Sequence, residues 1–430
     1  MGKFSGKTLL MLGSNVGAVE MIRYAKENGA FTIAADYYSA ERSAAKREAD
    51  EAVLVSTADE VALGRLIEER HIDGVLSGVS EFNVSRAMSL SRRYGLPFYC
   101  TLEQWNCIEH KEKFRHLCDE NMVPCPKTYY VGSNLENADR TSFQYPLVLK
   151  PVDACASKGV FICESERELM MHYKGAQSVS ESGLVIIEEF AQGNEFTAHY
   201  TICDGKASLS CIDNRYPVAV HEGKVTTIPV ARIYPSTYID EYVEKVNPYM
   251  LKLCESLGLK NGVLFVQGIH DPATGKFWIF EAGLRSAGEA PNRFIAKING
   301  IDYFELLVDT ALLGKGTVDI SKDDPYMAGK CCGIISFVAK HGIVGKIEGL
   351  EEATAATASV VSYENRYPVG SETPDTDTLR QLMIRFVMIC DSREQMYRDV
   401  KYLNEHISVL NERGEDMVIR LDPVRILKEF

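Results

Sequence analysis

Residues 146–160 read Pro-Leu-Val-Leu-Lys-Pro-Val-Asp-Ala-Cys-Ala-Ser-Lys-Gly-Val. The segment begins as an apolar strand, ends in Lys150 and continues into a loop of small residues that carries Lys158. A lysine at the end of a buried strand can point into a cleft, and short side chains let backbone N–H groups approach an anion. The segment therefore predicts a phosphate site. A strand-end lysine that simply reaches solvent explains the same residues, so the partner motifs elsewhere in the chain have to decide.

The composition is that of a folded, water-soluble chain. Its 430 residues have room for about three domains of ~150 residues each. The formal charge of -13 argues against a nucleic-acid-binding surface, which needs clustered Lys and Arg. No apolar run reaches the ~18 to 20 residues that span a bilayer. The twelve cysteines include no C-x-x-C pair, which indicates reduced thiols in a cytoplasmic protein rather than a zinc site or disulfides.

The first hundred residues alternate apolar strands with helical patterns, which predicts a doubly wound parallel sheet. Gly13, Gly17 and Asp36 superficially resemble a dinucleotide site, but the full G-x-G-x-x-G spacing is absent, so a tight structural turn is the better interpretation. We expect strands at residues 8–12, 31–35, 51–55 and 73–76, and helices at 17–28, 40–48, 59–70 and 81–94.

The rest of the chain divides into two further regions. A helical stretch over 101–121 ends before Pro124 and Pro126. The pattern over 127–312 mixes strands with helices near 165–174 and 238–257, which predicts an α+β region that encloses a cleft. Beyond it we expect strands near 332–339, 358–363 and 417–421 and a helix over 393–404. The predicted domains are residues 1–108, 109–314 and 315–430.

Four segments follow one another in a fixed order: residues 110–126, 146–160, 185–196 and 277–289. Together they resemble the ATP-grasp superfamily of carboxylate–amine and carboxylate–thiol ligases, and the resemblance covers nearly the whole chain. It implies an N-terminal doubly wound parallel-sheet domain, a two-lobed ATP-grasp fold in the centre and a small C-terminal α+β domain, as in biotin carboxylase and the purine-pathway members. It also implies ATP as cofactor, with Mg²⁺ or Mn²⁺.

The resemblance implies a role for each residue around the nucleotide. Lys111 and Lys150 correspond to lysines that reach the phosphates, with Lys113 as the alternative to Lys111. The loop with Lys158 corresponds to a lid that excludes water when it closes. The strand that exits through two acids and a phenylalanine suits contact with a flat, hydrogen-bonding base. The resemblance assigns Glu195 to the ribose hydroxyls. The predicted nucleotide-binding residues are Lys111, Lys150, Ser157, Lys158, Gly159, Glu188, Glu189, Phe190, Ala191 and Glu195.

The metal ligands depart from the family pattern. Magnesium that bridges nucleotide phosphates prefers carboxylate oxygens. Here Gln267 stands where the first acid is expected, Glu281 is retained, and Gly283 stands where an asparagine is expected. We predict a metal set of Glu281 and Gln267 with additional water. A protein that has lost catalysis is the competing interpretation.

The segment after Glu281 carries the candidates for substrate chemistry. The planar guanidinium of Arg285 suits capture of a carboxylate or an acyl-phosphate, and an ion pair with Glu281 or Glu289 is its structural alternative. Glu289 is a candidate general base for an amine. The catalytic set is thus Arg285, Lys150, Lys158 and Glu289, and the substrate candidates are Arg285, Ser286, Gly288, Arg215 and His221.

The predicted function is ATP-dependent ligation of a carboxylate to an amine through an acyl-phosphate. Small-molecule substrates such as amino acids are the expected partners, with neither nucleic acid nor membrane, and the family favours a homodimer. Two alternatives stay open: a carboxylase that activates bicarbonate, and a nucleotide-binding regulatory protein without turnover.

Overall fold

The N-terminal sheet forms as its alternating pattern predicts. In the computed structural model, which describes residues 2–154, 158–220 and 228–428, four parallel strands alternate with helices. The elements are β1 (Thr8–Leu12), α1 (Ala18–Glu27), β2 (Phe31–Asp36), α2 (Ala44–Glu48), β3 (Glu51–Leu54), α3 (Glu60–Glu69), β4 (Gly74–Ser77) and α4 (Glu81–Tyr94). The strand order is β3-β2-β1-β4. Asp36 is satisfied internally by Lys46 at 3.0 Å and Ser43 at 2.7 Å, as expected for a structural turn.

The helical stretch predicted over 101–121 is interrupted. The chain forms α5 (Leu102–Glu109) and α6 (Lys111–Asn121), and His110 between them has extended backbone angles. A capping box of Thr101 and Gln104 starts α5. The break places Lys111 at the first position of α6, where its Nζ donates to the carbonyl oxygen of Ala154 at 2.8 Å.

The first lobe of the central region is an antiparallel sheet with one helix. Its elements are β5 (Thr128–Gly132), β6 (Leu147–Pro151), β7 (Phe161–Cys163), α7 (Glu166–Val179) and β8 (Val185–Glu189). The strand order is β5-β8-β6-β7, so β6 and β8, which carry two of the four motifs, are neighbours.

The second lobe is another antiparallel sheet. The strands of this part of the chain are β9 (Asn194–Cys203), β10 (Lys206–Ile212), β11 (Asn214–Val218), β12 (Ile228–Tyr234), β13 (Gly262–Asp271) and β14 (Lys276–Gly283). Its helices are α8 (Ile239–Lys245), α9 (Asn247–Leu257), α10 (Asn292–Asn299) and α11 (Tyr303–Leu313). Strands pair in the order β10-β9-β13-β14. The helix predicted near 238–257 is divided at Val246, just before Pro248 at the start of α9.

The C-terminal region completes the architecture. Its elements are β15 (Cys331–Ala339), β16 (Gly342–Glu348), α12 (Leu350–Ala356), β17 (Val360–Asn365), β18 (Glu372–Thr373), β19 (Leu382–Cys390), α13 (Arg393–His406), β20 (Ser408–Asn411) and β21 (Val418–Ile419). One sheet runs β11-β12-β15-β19-β17, with β21 paired to β15, and a small sheet runs β18-β16-β20. The larger sheet combines strands from both sides of residue 314, so the domain boundary there stays a prediction.

The mixed α/β and α+β fold class is confirmed by these sheets. One apolar core joins the N-terminal sheet to the second lobe, with Met11 and Phe304 both fully buried within it. The described cysteines are all free thiols. Among the described helices, none combines the length and apolarity needed to cross a membrane.

Candidate active site

A buried ion cluster links the first two lobes at the end of β6. Nζ of Lys150 lies 2.5 Å from Oε2 of Glu188, and Nε of Arg115 lies 2.5 Å from Oε1 of the same carboxylate. The alternation of β6 and β8 brings this about, since Val148 is opposite Glu188 and Lys150 lies two residues further along the same face. Arg115 also donates from Nη2 to the carbonyl oxygen of Phe280 in β14, at 2.8 Å. The cluster therefore joins α6, both strands of the first lobe and the second lobe.

The charges of this cluster are mutually dependent. Burial by itself would raise the pKa of Glu188, but the charges of Lys150 and Arg115 outweigh it and lower the pKa to about 2. Burial lowers the pKa of Lys150, opposed by the attraction of Glu188. Arg115 was not identified from the sequence as part of the site. Its position four residues after Lys111 on one helical face is the only sequence signal that could have found it.

The other residues that are predicted to contact the nucleotide phosphates lie around the loop after β6. Lys111 donates to the carbonyl oxygen of Ala154, so the lysine already reaches the start of this loop. Lys158 is exposed, and Gly159 has a φ of +71°, which suits a residue without a side chain. Ser157 lies outside the described residues.

The predicted adenine and ribose residues follow β8. Glu189 is half-buried and accepts a hydrogen bond from the backbone N–H of Lys127 at 3.2 Å. Phe190 and Ala191 leave the strand next, with Ala191 buried. Glu195, at the start of β9, makes an ion pair with Arg215. The carboxylate of Glu188 points into the ion cluster, so only its backbone is available to a base.

The two predicted metal ligands are direct neighbours. Gln267 on β13 pairs in register with Glu281 on β14, and both are half-buried. Opposed residues of an antiparallel pair project from the same face with Cβ atoms ~4.5–5.5 Å apart, so the amide and the carboxylate oxygens can converge on one ion. Within the described ranges, no group of three or more His, Cys, Asp or Glu side chains could hold a metal. A hard cation here would depend on phosphate oxygens and water for its other ligands.

The packing of an aromatic ring explains why position 283 is a glycine. Gly283 is directly opposite Phe265, and a Cβ at this glycine would meet the aromatic ring at 2.4 Å. The guanidinium of Arg285 in turn lies 4.9 Å from the centre of the same ring. The space that an asparagine would need is therefore occupied by the ring that supports Arg285.

We expect Gly283→Asn to lower the free energy of unfolding by about 1–3 kcal/mol, because the new side chain overpacks against Phe265. Urea unfolding of a double-mutant cycle with Phe265→Leu measures the coupling. The stability lost through Gly283→Asn should be at least ~0.5 kcal/mol smaller in the Phe265→Leu background, where the aromatic ring is absent. Gly288→Asn is the matched control, since a Cβ there meets nothing within 4 Å. Equal losses for the two asparagine variants would contradict the steric explanation.

Arg285 pairs with neither of the two acids that the sequence suggested. Its Nη2 lies 2.5 Å from Oε1 of Glu81, which is the first residue of α4 in the N-terminal region. Its Nη1 donates to the backbone oxygen of the buried Ser286 at 3.1 Å. Nε of Arg285 has no hydrogen-bond partner among the residues described.

A cleft of about 610 Å³ lies next to this pair, between α4 and α5. Glu81, Glu109 and His110 line it. Burial and, next in size, the negative charge of Glu81 raise the pKa of Glu109 to about 8. Glu109 was not identified from the sequence, because only the fold brings it beside Glu81.

Glu289 lies in a second buried charge cluster. Its Oε1 is 2.5 Å from Nη2 of Arg232, whose Nη1 is 2.5 Å from Oδ2 of Asp213. Burial alone would raise the pKa of Glu289, but Arg232 outweighs it and lowers the pKa to about 2. Glu289 is therefore a stable anion and a weak proton acceptor. Gly288 precedes it and accepts a hydrogen bond from Arg385. His221 lies outside the described residues.

Comparison with known proteins gives this arrangement a context. The sequence model of the ATP-grasp domain matches residues 143–290, which include the positions of Lys150, Glu188, Gln267, Glu281 and Arg285. The chain is 28% identical over 228 residues to the C-terminal section of the carbamoyl phosphate synthase large chain of Methanocaldococcus jannaschii, covering 52% of this chain and 35% of that relative. It thus spans about a third of the length of that relative.

Solved structures with the same fold extend over nearly the whole chain. The L-amino acid ligase from Bacillus licheniformis has a TM-score of 0.75 at 18% identity, covering 95% of this chain and 99% of that one. The biotin carboxylase domain of the Hydrogenobacter thermophilus 2-oxoglutarate carboxylase, solved with MgADP, ADP and bicarbonate, has a TM-score of 0.77 at 15% identity, covering 96% and 91%.

Proposed function

We propose that this ATP-grasp protein is an ATP-dependent ligase that joins a carboxylate to an amine. The observation that carries the proposal is the position of Arg285, a guanidinium supported on the ring of Phe265, immediately after the strand pair of Gln267 and Glu281. That arrangement would put a carboxylate-binding group beside a metal-binding face. The products would be an amide, ADP and phosphate.

The first lobe would hold the nucleotide. Lys150, kept in place by Glu188, would contact the phosphates together with Lys111. The hydrogen bond from Lys111 to Ala154, at the start of the loop after β6, supports this role. Lys158, Ser157 and Gly159 would act from that loop. The hinge of Glu188, Glu189, Phe190 and Ala191 would contact adenine, with backbone groups alone from Glu188, and Glu195 would accept hydrogen bonds from the ribose. Most of the catalysis would come from positioning and charge neutralisation.

Glu281 and Gln267 would hold Mg²⁺, or Mn²⁺, through a carboxylate and an amide oxygen. Their register pairing on one face fits such an ion with two protein ligands. When bound, the ion would supply positive charge to the phosphate oxygens of the nucleotide.

Arg285 would bind the carboxylate substrate in place of Glu81. One carboxylate oxygen would attack the γ-phosphorus while the bond to the bridging oxygen of ADP breaks. A neutral amine would then attack the acyl carbon, and inorganic phosphate would leave and take up the proton that the amine nitrogen loses. Glu289 would orient Arg232 and the loop of Ser286 and Gly288 rather than accept the proton, since its ion pair keeps it ionised. Arg215 and His221 remain further substrate candidates.

We propose amino acids as the substrate class, which the fold shared with the L-amino acid ligase supports. We propose a homodimer as the assembly. A second candidate function is activation of bicarbonate. The carboxylase domain that shares this fold was solved with that anion, which supports testing it.

Hydroxylamine trapping tests the proposal, because it converts an acyl-phosphate into a hydroxamate. With ATP, Mg²⁺ and a panel of carboxylates, we expect hydroxamate from one carboxylate class and a loss of about 100-fold in Arg285→Met, since a charge-assisted bidentate contact disappears. ADP formed with bicarbonate and no amine would favour the carboxylase. ATP binding without ADP release under any substrate would contradict both and indicate a protein without turnover.

A further inference from the structure

A second cavity of about 500 Å³ lies between the N-terminal and C-terminal regions, apart from the cleft beside Glu81. The turn after β1 and the start of α1 form one wall, and arginines of α10, β19 and the residue after β17 form the other. The cavity is within the range of ~300–1,000 Å³ that small-molecule ligands occupy. None of the four ordered motif segments contributes a residue to its lining.

Arg385 is the central feature of this cavity. It lies on β19, an interior strand of the larger C-terminal sheet, and is only 8% exposed. Nη1 donates to the carbonyl oxygen of Gly288 at 2.9 Å, while Nε has no hydrogen-bond partner within the described part of the chain. Arg385 also forms no ion pair with a described acidic side chain. The nearby Glu289 pairs with Arg232 instead. A buried guanidinium without a counter-ion is expensive to maintain in a folded protein.

The neighbouring charges do not supply that counter-ion. Arg293 is 2.8 Å from Glu20, and Arg366 is 3.1 Å from Glu364. Both acids line the cavity, and both are engaged by their own arginines. Burial and, next in size, the positive charge of Arg366 lower the pKa of Arg385 to about 10, despite the opposing attraction of Glu364 and Glu289. Among the described residues that line the cavity, arginines therefore outnumber acidic side chains.

The opposite wall also favours an anion. Gly17 caps α1 in the left-handed conformation with a φ of 88° and gives no side chain to the first-turn N–H groups. The positive end of this ten-residue helix therefore lies in the cavity wall. Asn15 beside it has a buried Oδ1 without a partner in the described ranges, which suits a hydroxyl or N–H of the same ligand.

We propose that this cavity binds an anionic group, a phosphate or a carboxylate, at the end of a substrate remote from the reacting atoms. The inference rests on the proposed function and deepens it, because it makes one substrate a molecule with an anionic tail. Arg385 connects the two sites directly, since its hydrogen bond to Gly288 reaches the loop that begins at Arg285. Occupation of the cavity would therefore also order the loop that holds the reacting carboxylate.

The test measures anion binding without turnover. Full-length protein saturated with MgADP is titrated with inorganic phosphate and, separately, with succinate, and the rise in Tm gives the affinity. Arg385→Met removes the charge at similar length and should fold normally, because the buried guanidinium forms no ion pair with the acidic side chains that the structure describes. We expect its affinity for the stabilising anion to fall at least ~10-fold, as for a lost charge-assisted hydrogen bond. Arg23→Gln is the matched control, because Arg23 lines the same cavity, is paired with Glu48 and should change the affinity less than ~3-fold.

The outcomes of this titration test the anion site independently of the proposed ligase activity. Stabilisation by phosphate, by succinate or by both, lost in Arg385→Met, supports the site and indicates which anion the substrate carries. No stabilisation of the wild-type protein by either anion, or equal stabilisation of the Arg385→Met variant, would overturn it. Hydroxamate formation in the wild-type protein does not depend on this titration, so failure of one proposal is distinguishable from failure of the other.

Discussion

Replacing Glu188 with glutamine is expected to lower the free energy of unfolding by about 3–5 kcal/mol, the typical effect of removing one partner of a buried ion pair. The substitution leaves Lys150 and Arg115 buried without the carboxylate that lies 2.5 Å from each of them. Two like charges would then face each other in a medium of low dielectric constant. Urea unfolding followed by circular dichroism measures the change.

Glu189→Gln is the matched control. It is the next residue, and its carboxylate accepts one hydrogen bond from a backbone N–H, so we expect a loss below about 1 kcal/mol. A Glu188→Gln variant as stable as the control would show that the ion cluster does not stabilise the fold.

Wild type and Glu188→Gln should also differ in how their free energy of unfolding depends on pH. The pKa of Glu188 is lowered to about 2 from its usual 4.5, so its contribution to stability is complete above the unfolded value and is lost as the pH falls from 4.5 towards 2. The stability difference between wild type and Glu188→Gln should therefore shrink over this range. Because Glu289 titrates in both proteins, the difference isolates Glu188.

Glu281→Gln is expected to reduce kcat/KM for ATP about 100-fold or more at fixed Mg²⁺, equivalent to ~2.7 kcal/mol of transition-state stabilisation. With Gln267 opposite, the variant would offer two neutral amides and no carboxylate to a hard cation. Initial rates of ADP formation over a Mg²⁺ titration measure the effect, and higher Mg²⁺ should restore part of the activity.

Gln267→Glu is the complementary variant. A second carboxylate on the same face should lower the Mg²⁺ concentration needed for half-maximal activity. Unfolding curves of both variants check that the β13 and β14 pairing is intact. An unchanged Mg²⁺ dependence in both would place the metal elsewhere.

Local sequence signals predicted the elements well where the pattern is strong. β1 and β2 follow from short apolar runs and α4 from a helical pattern, and Lys150 lies where its motif suggested, at the end of a buried strand. The break at His110 had no such signal, because no glycine or proline marks it and the contact of Lys111 with Ala154 is tertiary.

The partners of the site residues were less predictable. Arg285 pairs with Glu81, 204 residues away, rather than with its sequence neighbours. Gly283 seemed a lost ligand in the sequence, whereas in the fold it makes room for Phe265. Each of these contacts depends on register and packing between segments remote in the chain.

The order of the elements, the four motifs and the family they resemble can be derived from the amino-acid sequence, since propensity, periodicity and spacing are local properties. The pairing of charges follows instead from the packing of remote segments: Glu188 pairs with two cations, Glu289 pairs with Arg232, and Arg385 pairs with none of the described acids. The physical reason is that electrostatic energy depends on distance and burial, and both are properties of the packed fold rather than of the chain.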